Sequence, residues 1–185
     1  TSSGNKFNFS QWGCGTFEGV RTHLSDQMII SPEGLLNEAS ALRSQYGIAD
    51  PFSLLTVDET ALCATEFHGI ASRLKELARG DNPRGTVGTG VGEAYRDYAR
   101  VPDLAITARD LTRLDLRTRL AAVRDDVLLR LQPIIEGEFL PKDQAEAAEA
   151  ISFLYDDEFL NFVVMRFEEA GKAVRVVGRE YLRDE

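Results

Sequence analysis

Short apolar runs alternate along the chain with longer stretches in which apolar residues recur every three or four positions. That is the signature of strands interleaved with helices. Residues 5–11 alternate polar and apolar side chains through Lys6, Phe7, Asn8, Phe9 and Ser10, which predicts a half-buried strand leading into a tight turn through Gly13 and Gly15. Residues 27–30 form a short apolar strand, and Ser31-Pro32 marks a helix start. Ser31 can accept from the first free N–H groups, and proline is tolerated at the first helical position. Leu35, Ala39 and Leu42 share one face of this helix, and Gly47 ends it. Asp50-Pro51 then turns the chain into a buried strand over residues 53–57. Asp58 is expected to cap the next helix, whose stripe is Phe67, Ile70, Leu74 and Leu77 and which Gly80 closes.

In the second half, residues 91–98 make a helical turn or two that Pro102 ends. A helix starting at Asp110 or Asp115 carries Leu116, Leu120, Val123, Val127 and Leu131 on one face, and Pro133 is expected to stop it. Pro141 and Asp143 open a long helical region bearing Ile151, Leu154, Leu160, Val163 and Phe167, closed by Gly171. The acidic run at 155–158 marks a break inside it, and residues 173–177 form a last strand. This order predicts an α/β fold, part of a mostly parallel sheet with flanking helices. With no repeat, linker or low-complexity tract, residues 1–185 read as a single α/β segment.

Composition narrows the function. Hydrophobic residues make up 43% and charged residues 28% of the 185 positions, ordinary values for a globular protein. A net charge of −9 argues against duplex nucleic acid and anionic membranes as partners. No apolar run approaches the length of a membrane span and no signal pattern is present. Cys14 and Cys63, with only two histidines, make neither a disulfide framework nor a zinc-type cluster, so no metal site is expected and a reduced cytoplasmic setting is the default. Cys14 sits in a glycine turn and reads as a small packing residue or, without a nearby histidine, as an unsupported nucleophile. His23 reads as a surface or packing residue rather than a base.

One stretch stands out from this background. Glycines at 85, 88, 90 and 92, with Thr86 and Thr89 between them, make a loop whose N–H groups can turn outward around a phosphate or carboxylate, or simply a flexible connection. It is no Walker A loop, since no lysine follows Gly90, and Glu93 stands where a dinucleotide fingerprint needs its last glycine. From 73 to 100 the basic Arg73, Lys75, Arg79, Arg84, Arg96 and Arg100 outnumber the acidic Glu76, Asp81, Glu93 and Asp97. A basic neighbourhood in an acidic chain suits a small anionic ligand, and it equally suits solvated helix faces.

His68, Arg79-Gly80, the glycine run through Ala94-Tyr95, Arg100 and Asp110-Leu111 resemble the central part of adenylosuccinate synthetases. That family reads Gly-Thr-Thr-Gly-Arg-Gly-Ile-Gly-Pro-Ala-Tyr at the loop. Ile29-Ile30-Ser31-Pro32 and Leu35 match its Val-Val-Leu-Ser-Pro…Leu segment. The resemblance thins after about Leu120. Val87 replaces a threonine that contacts the nucleotide phosphate in the family, Thr89 an arginine and Glu93 a proline, the marks of a divergent branch.

The resemblance implies a P-loop-NTPase-like adenylosuccinate synthetase fold, incomplete at both ends, the chain being a fragment of a larger domain. It implies a ligase of purine biosynthesis that joins aspartate to IMP with GTP (or ATP) and Mg²⁺, giving adenylosuccinate, GDP and phosphate, in a homodimer. The family's upstream phosphate loop with its catalytic aspartate and histidine has no counterpart here, so no catalytic residue is assigned and the chain alone is expected to be inactive. Thr86, Val87, Gly88 and Thr89 would face the nucleotide phosphate. Arg100 would reach the nucleotide of the partner subunit, or else pair locally with Asp97 or Asp103. His68 would do structural work or contact substrate. The alternative to a ligase portion is a non-catalytic α/β segment used for packing or dimerisation.

Overall fold

The computed structural model describes residues 7–181. Its elements are β1 (Thr22–Leu24), β2 (Ile29–Ile30), α1 (Pro32–Tyr46), β3 (Leu55–Asp58), β4 (Leu62–Cys63), α2 (Glu66–Leu77), α3 (Val91–Arg100), α4 (Leu116–Ile135), α5 (Gln144–Tyr155), α6 (Asp157–Ala173) and β5 (Arg175–Val177). Two compact units result. One comprises residues 1–63, 107–113 and 166–185, the other 64–106 and 114–165.

The first unit holds the strands, and among the described residues the strands pair in parallel, with one isolated antiparallel bridge between Leu62 and Thr107. β3 lies between β1 and β5, with Val57 opposite both Leu24 and Val176, while β2 pairs with β4. α1 begins as its sequence dictates: Ser31 Oγ accepts from Gly34 N at 3.0 Å, Pro32 takes the first turn and Gly47 closes the helix. Leu35, Ala39 and Leu42 are fully buried. Further along, Arg166 of α6 pairs with Glu33 and with Glu169. Gly171 lies inside α6 instead of closing it, because a Cβ there would meet Leu111 O at 2.6 Å. It is a close-packing residue, not a helix stop.

Two further expectations change in this unit. Of the strand expected over 5–11, residues 5 and 6 lie outside the described residues and 7–11 form no ladder. The N–H groups of Ser10, Gln11 and Trp12 donate to the buried carboxylate of Glu38 (2.9–3.3 Å), so a side chain satisfies donors that a neighbouring strand would otherwise take. The alternation serves ring packing instead: Phe7 and Phe9 both meet Phe17, and Phe7 and Phe17 meet Tyr46, with centroids 5.0–6.1 Å apart. Asp58 caps no helix either. Its Oδ1 accepts from Thr60 N and Oγ1, folding a turn that feeds β4, a strand too short to register as a pattern.

The second unit is helical. Phe67, Ala71 and Leu74 of α2, Leu120, Val127 and Leu131 of α4, Leu154 of α5 and Val163 of α6 are at most 0–2% exposed and build its core. Burying each of these Phe, Leu and Val side chains contributes about 1.5–3 kcal/mol. α4 runs two residues past Pro133. The proline falls in the last turn, where the missing N–H costs one intrahelical bond and Glu136 N still closes on Gln132 O.

Candidate functional site: the glycine loop and its charged support

α2 and α3 frame the glycine loop, and both are anchored by polar side chains. Thr65 caps α2: its Oγ1 accepts from His68 N at 3.3 Å, while Thr65 N donates to His68 Nδ1 at 3.0 Å. With Nδ1 accepting, Nε2 carries the hydrogen directed at Asp97 Oδ2, 3.2 Å away. Both ring nitrogens of this buried histidine are therefore engaged inside the fold. Gly90 caps α3 at φ +76°, and a Cβ there would stand 2.5 Å from Gly69 N and 2.7 Å from His68 C. Only glycine lets the loop rejoin the protein that close to α2.

Beneath the loop runs a network of charges. Glu93 and Asp97, one turn apart on α3, have side chains only 4% and 6% exposed. Glu93 pairs with Lys75 and Arg96. Asp97 binds Arg130 Nη2 at 2.6 Å, and Arg130 Nε reaches Asp126 at 2.8 Å. Burial pushes the Asp97 carboxyl up, but the His68 hydrogen bond and the charges of Arg130 and Arg100 outweigh it and hold the group below the ordinary aspartate range.

The loop itself is exposed. Val87 is 88% exposed, and Thr86 and Thr89 are open to solvent. Gly85 N donates to Glu76 Oε1 at 2.6 Å and Thr86 N to the same oxygen at 3.4 Å, while Thr86 Oγ1 meets Ser72 Oγ at 3.1 Å. Gly88 N donates back to Thr86 Oγ1 at 3.3 Å. Among the described residues no acceptor takes the N–H of Val87 or Thr89. A cleft of about 470 Å³ is lined by Val87 and Gly88 together with Ile70, Ala150, Phe153 and the Arg73–Glu146 ion pair.

The structure thus gathers Thr86, Val87, Gly88 and Thr89 on one exposed loop, whereas Arg100 ends α3 with its guanidinium 2.5 Å from Asp126 and 3.7 Å from Asp97. Asp97 is one of the two local partners expected for it; Asp103 is not among its partners, and Asp126 is new. Sequence reasoning missed Arg130 and the part played by Glu76. Arg130 sits four residues after Asp126 on α4, a spacing that signals an ion pair without revealing which other helix it reaches. Among the described residues no group of three or more His, Cys, Asp or Glu side chains is placed to hold a metal ion. No described residue is therefore assigned to Mg²⁺, and no step through it is derived. No helix among these residues is long and apolar enough to cross a membrane.

An adenylosuccinate synthetase from Bordetella parapertussis is 30% identical over 159 residues, covering 82% of this chain and 35% of that protein. One from Myxococcus xanthus is 29% identical over 130 residues, covering 70% of this chain and 29% of that protein. The chain thus spans about a third of the length of the relatives it matches. The solved structure of fully ligated adenylosuccinate synthetase from Plasmodium falciparum superposes with a TM-score of 0.55 at 14% identity over 89% of this chain and 33% of that one, a likeness of fold. The sequence model of the family described as adenylosuccinate synthetase matches residues 1–173, and the chain belongs to that family.

Proposed function

We propose that this segment is the substrate-loop portion of a ligase that joins aspartate to IMP with GTP as phosphoryl donor and Mg²⁺, releasing adenylosuccinate, GDP and phosphate. The observation that carries the reading is that the N–H groups of Val87 and Thr89 have no acceptor among the described residues, on the loop that faces the nucleotide phosphate by resemblance to the family. The family membership favours this over a segment used only for packing. Thr86, Val87, Gly88 and Thr89 bind and orient the phosphate of the acceptor nucleotide, chiefly through backbone amides, as glycine-rich loops do. Arg100 lies at the end of the helix that the loop opens, and serves the nucleotide of the partner subunit in a homodimer by exchanging Asp126 for phosphate oxygens. Such an exchange is feasible because the Arg100 side chain is 44% exposed. Mg²⁺ and GTP are held by parts of the enzyme outside this segment. Two free cysteines suit a reduced, cytoplasmic setting.

The test is direct. Titrating the ¹⁵N-labelled chain with IMP should move the amide resonances of Val87 and Thr89 saturably, and GTP should leave them in place. The same chain should release no phosphate in the presence of IMP, GTP, Mg²⁺ and aspartate, since positioning alone does not transfer a phosphoryl group. An IMP response confined to other residues sinks the loop assignment, and aspartate-dependent phosphate release sinks the inactivity.

A further inference from the structure

Glu76 sits in the last turn of α2 and is 8% exposed. Its Oε1 holds the N–H groups of Gly85 and Thr86, and its Oε2 stands 3.6 Å from Arg79 Nε. Arg73, one turn earlier on α2, and the backbone N–H of Arg84 complete the positive surroundings. Two amides, a guanidinium and removal from water are what a bound anion receives from a protein. The two halves of the loop therefore differ. The first is closed on a carboxylate of the chain itself, and in the second the N–H groups of Val87 and Thr89, on either side of Gly88, have no acceptor among the described residues.

We propose that Glu76 is a built-in occupant of the loop's anion cradle: it fills the amides of Gly85 and Thr86, holds that half of the loop against α2 and keeps external anions out of it. A carboxylate or phosphate monoester enters at Gly85 and Thr86 only when Glu76 leaves, so an incoming phosphate meets the amides of Val87 and Thr89 first and reaches that of Thr86 only by displacing the carboxylate. The inference shares with the reading above only that the loop's amides bind anions; it does not depend on which nucleotide is bound.

The experiment uses the ¹⁵N-labelled chain with sodium acetate and, separately, inorganic phosphate. In the unsubstituted chain the Gly85 and Thr86 resonances stay put. In Glu76→Ala both move saturably with acetate, at an apparent affinity at least about tenfold tighter than any response of the unsubstituted chain. Silence of these amides in Glu76→Ala, or an equal response in both proteins, overturns the proposal. If Glu76→Ala does not fold, an acid titration of the unsubstituted chain decides. The Gly85 and Thr86 amides and the Glu76 carboxyl carbon must then share one midpoint, and separate midpoints overturn it. The IMP reading is judged at Val87 and Thr89, so the two can fail independently.

Discussion

Gly90 and its neighbours in the loop look equivalent in sequence, yet their surroundings set them apart. At Gly90 a side chain meets two obstacles at once, a left-handed φ of +76° and the backbone of His68 and Gly69 under 3 Å away. At Gly88 φ is also +76° but the space around it is open. Gly92, inside α3, has neither problem. We expect Gly90→Ala to cost about 3 kcal/mol or more from strain plus backbone displacement. Gly88→Ala should cost about 1–2 kcal/mol from conformation alone. Gly92→Ala should be neutral or stabilise by up to about 1 kcal/mol, as alanine gains over glycine in a helix. Urea midpoints of the three variants check the order, and equal losses at 88 and 90 would refute the close-approach argument. The glycine pattern was legible as a loop, but which glycine is obligatory depends on α2, and no local pattern carries that.

The elements were read best where one face decides the matter. α1 and α4 bury the very residues their spacing singled out, and Ser31-Pro32 starts α1 as its chemistry requires. What stayed illegible was the pairing between helices. In the sequence Glu93 stands out only as a departure from glycine-loop patterns and Asp97 only as a local partner for Arg100, because spacing places them on α3 without saying that Lys75 and Arg130 come to meet them. These buried acids bolt α3 to α2 and α4. Removing the charge of Asp97 deprives Arg130 and His68 of a carboxylate in a nearly dry site and sets an amide NH2 where one acceptor oxygen stood, whereas Asp126 is 18% exposed and serves mainly Arg100 and Arg130 at the surface. Asp97→Asn should therefore cost about 3 kcal/mol, and Asp126→Asn under about 1 kcal/mol. Thermal or urea unfolding reads the difference. Equal small losses would mean that water reaches the network and that α3 is held by packing alone.

On the scale of the whole molecule, the depressed carboxylates set the response to acid. Asp58 in the first unit and Glu76, Asp97, Glu146 and Asp157 in the second are all held below the ordinary carboxylate range. At Asp58, Glu76 and Asp97 burial opposes the shift but is outweighed, for Asp58 by bonds from Thr60, for Glu76 by loop amides and for Asp97 by His68 and Arg130. At Glu146 and Asp157 the leading cause is an arginine, Arg73 and Arg124 respectively. Each group binds its proton more weakly folded than unfolded. Its contribution is complete above the unfolded value, about 4, and is lost as pH falls through the folded value. A separate effect runs the other way at higher pH: the net charge of −9 at pH 7 shrinks toward a pI of 4.8, relaxing self-repulsion. The two together predict a urea midpoint that holds or rises slightly from pH 7 to about 5 and drops steeply below about 4. Arg73 and Arg166, both raised by carboxylate partners, stay charged throughout, so the acid limb belongs to the carboxylates. The Asp97→Asn variant, lacking one of those titrations, should show a shallower acid limb than the unsubstituted chain. A midpoint independent of pH down to 3, or an identical limb in the variant, would show that these ion pairs sit in bulk-like solvent and contribute little to the folded state.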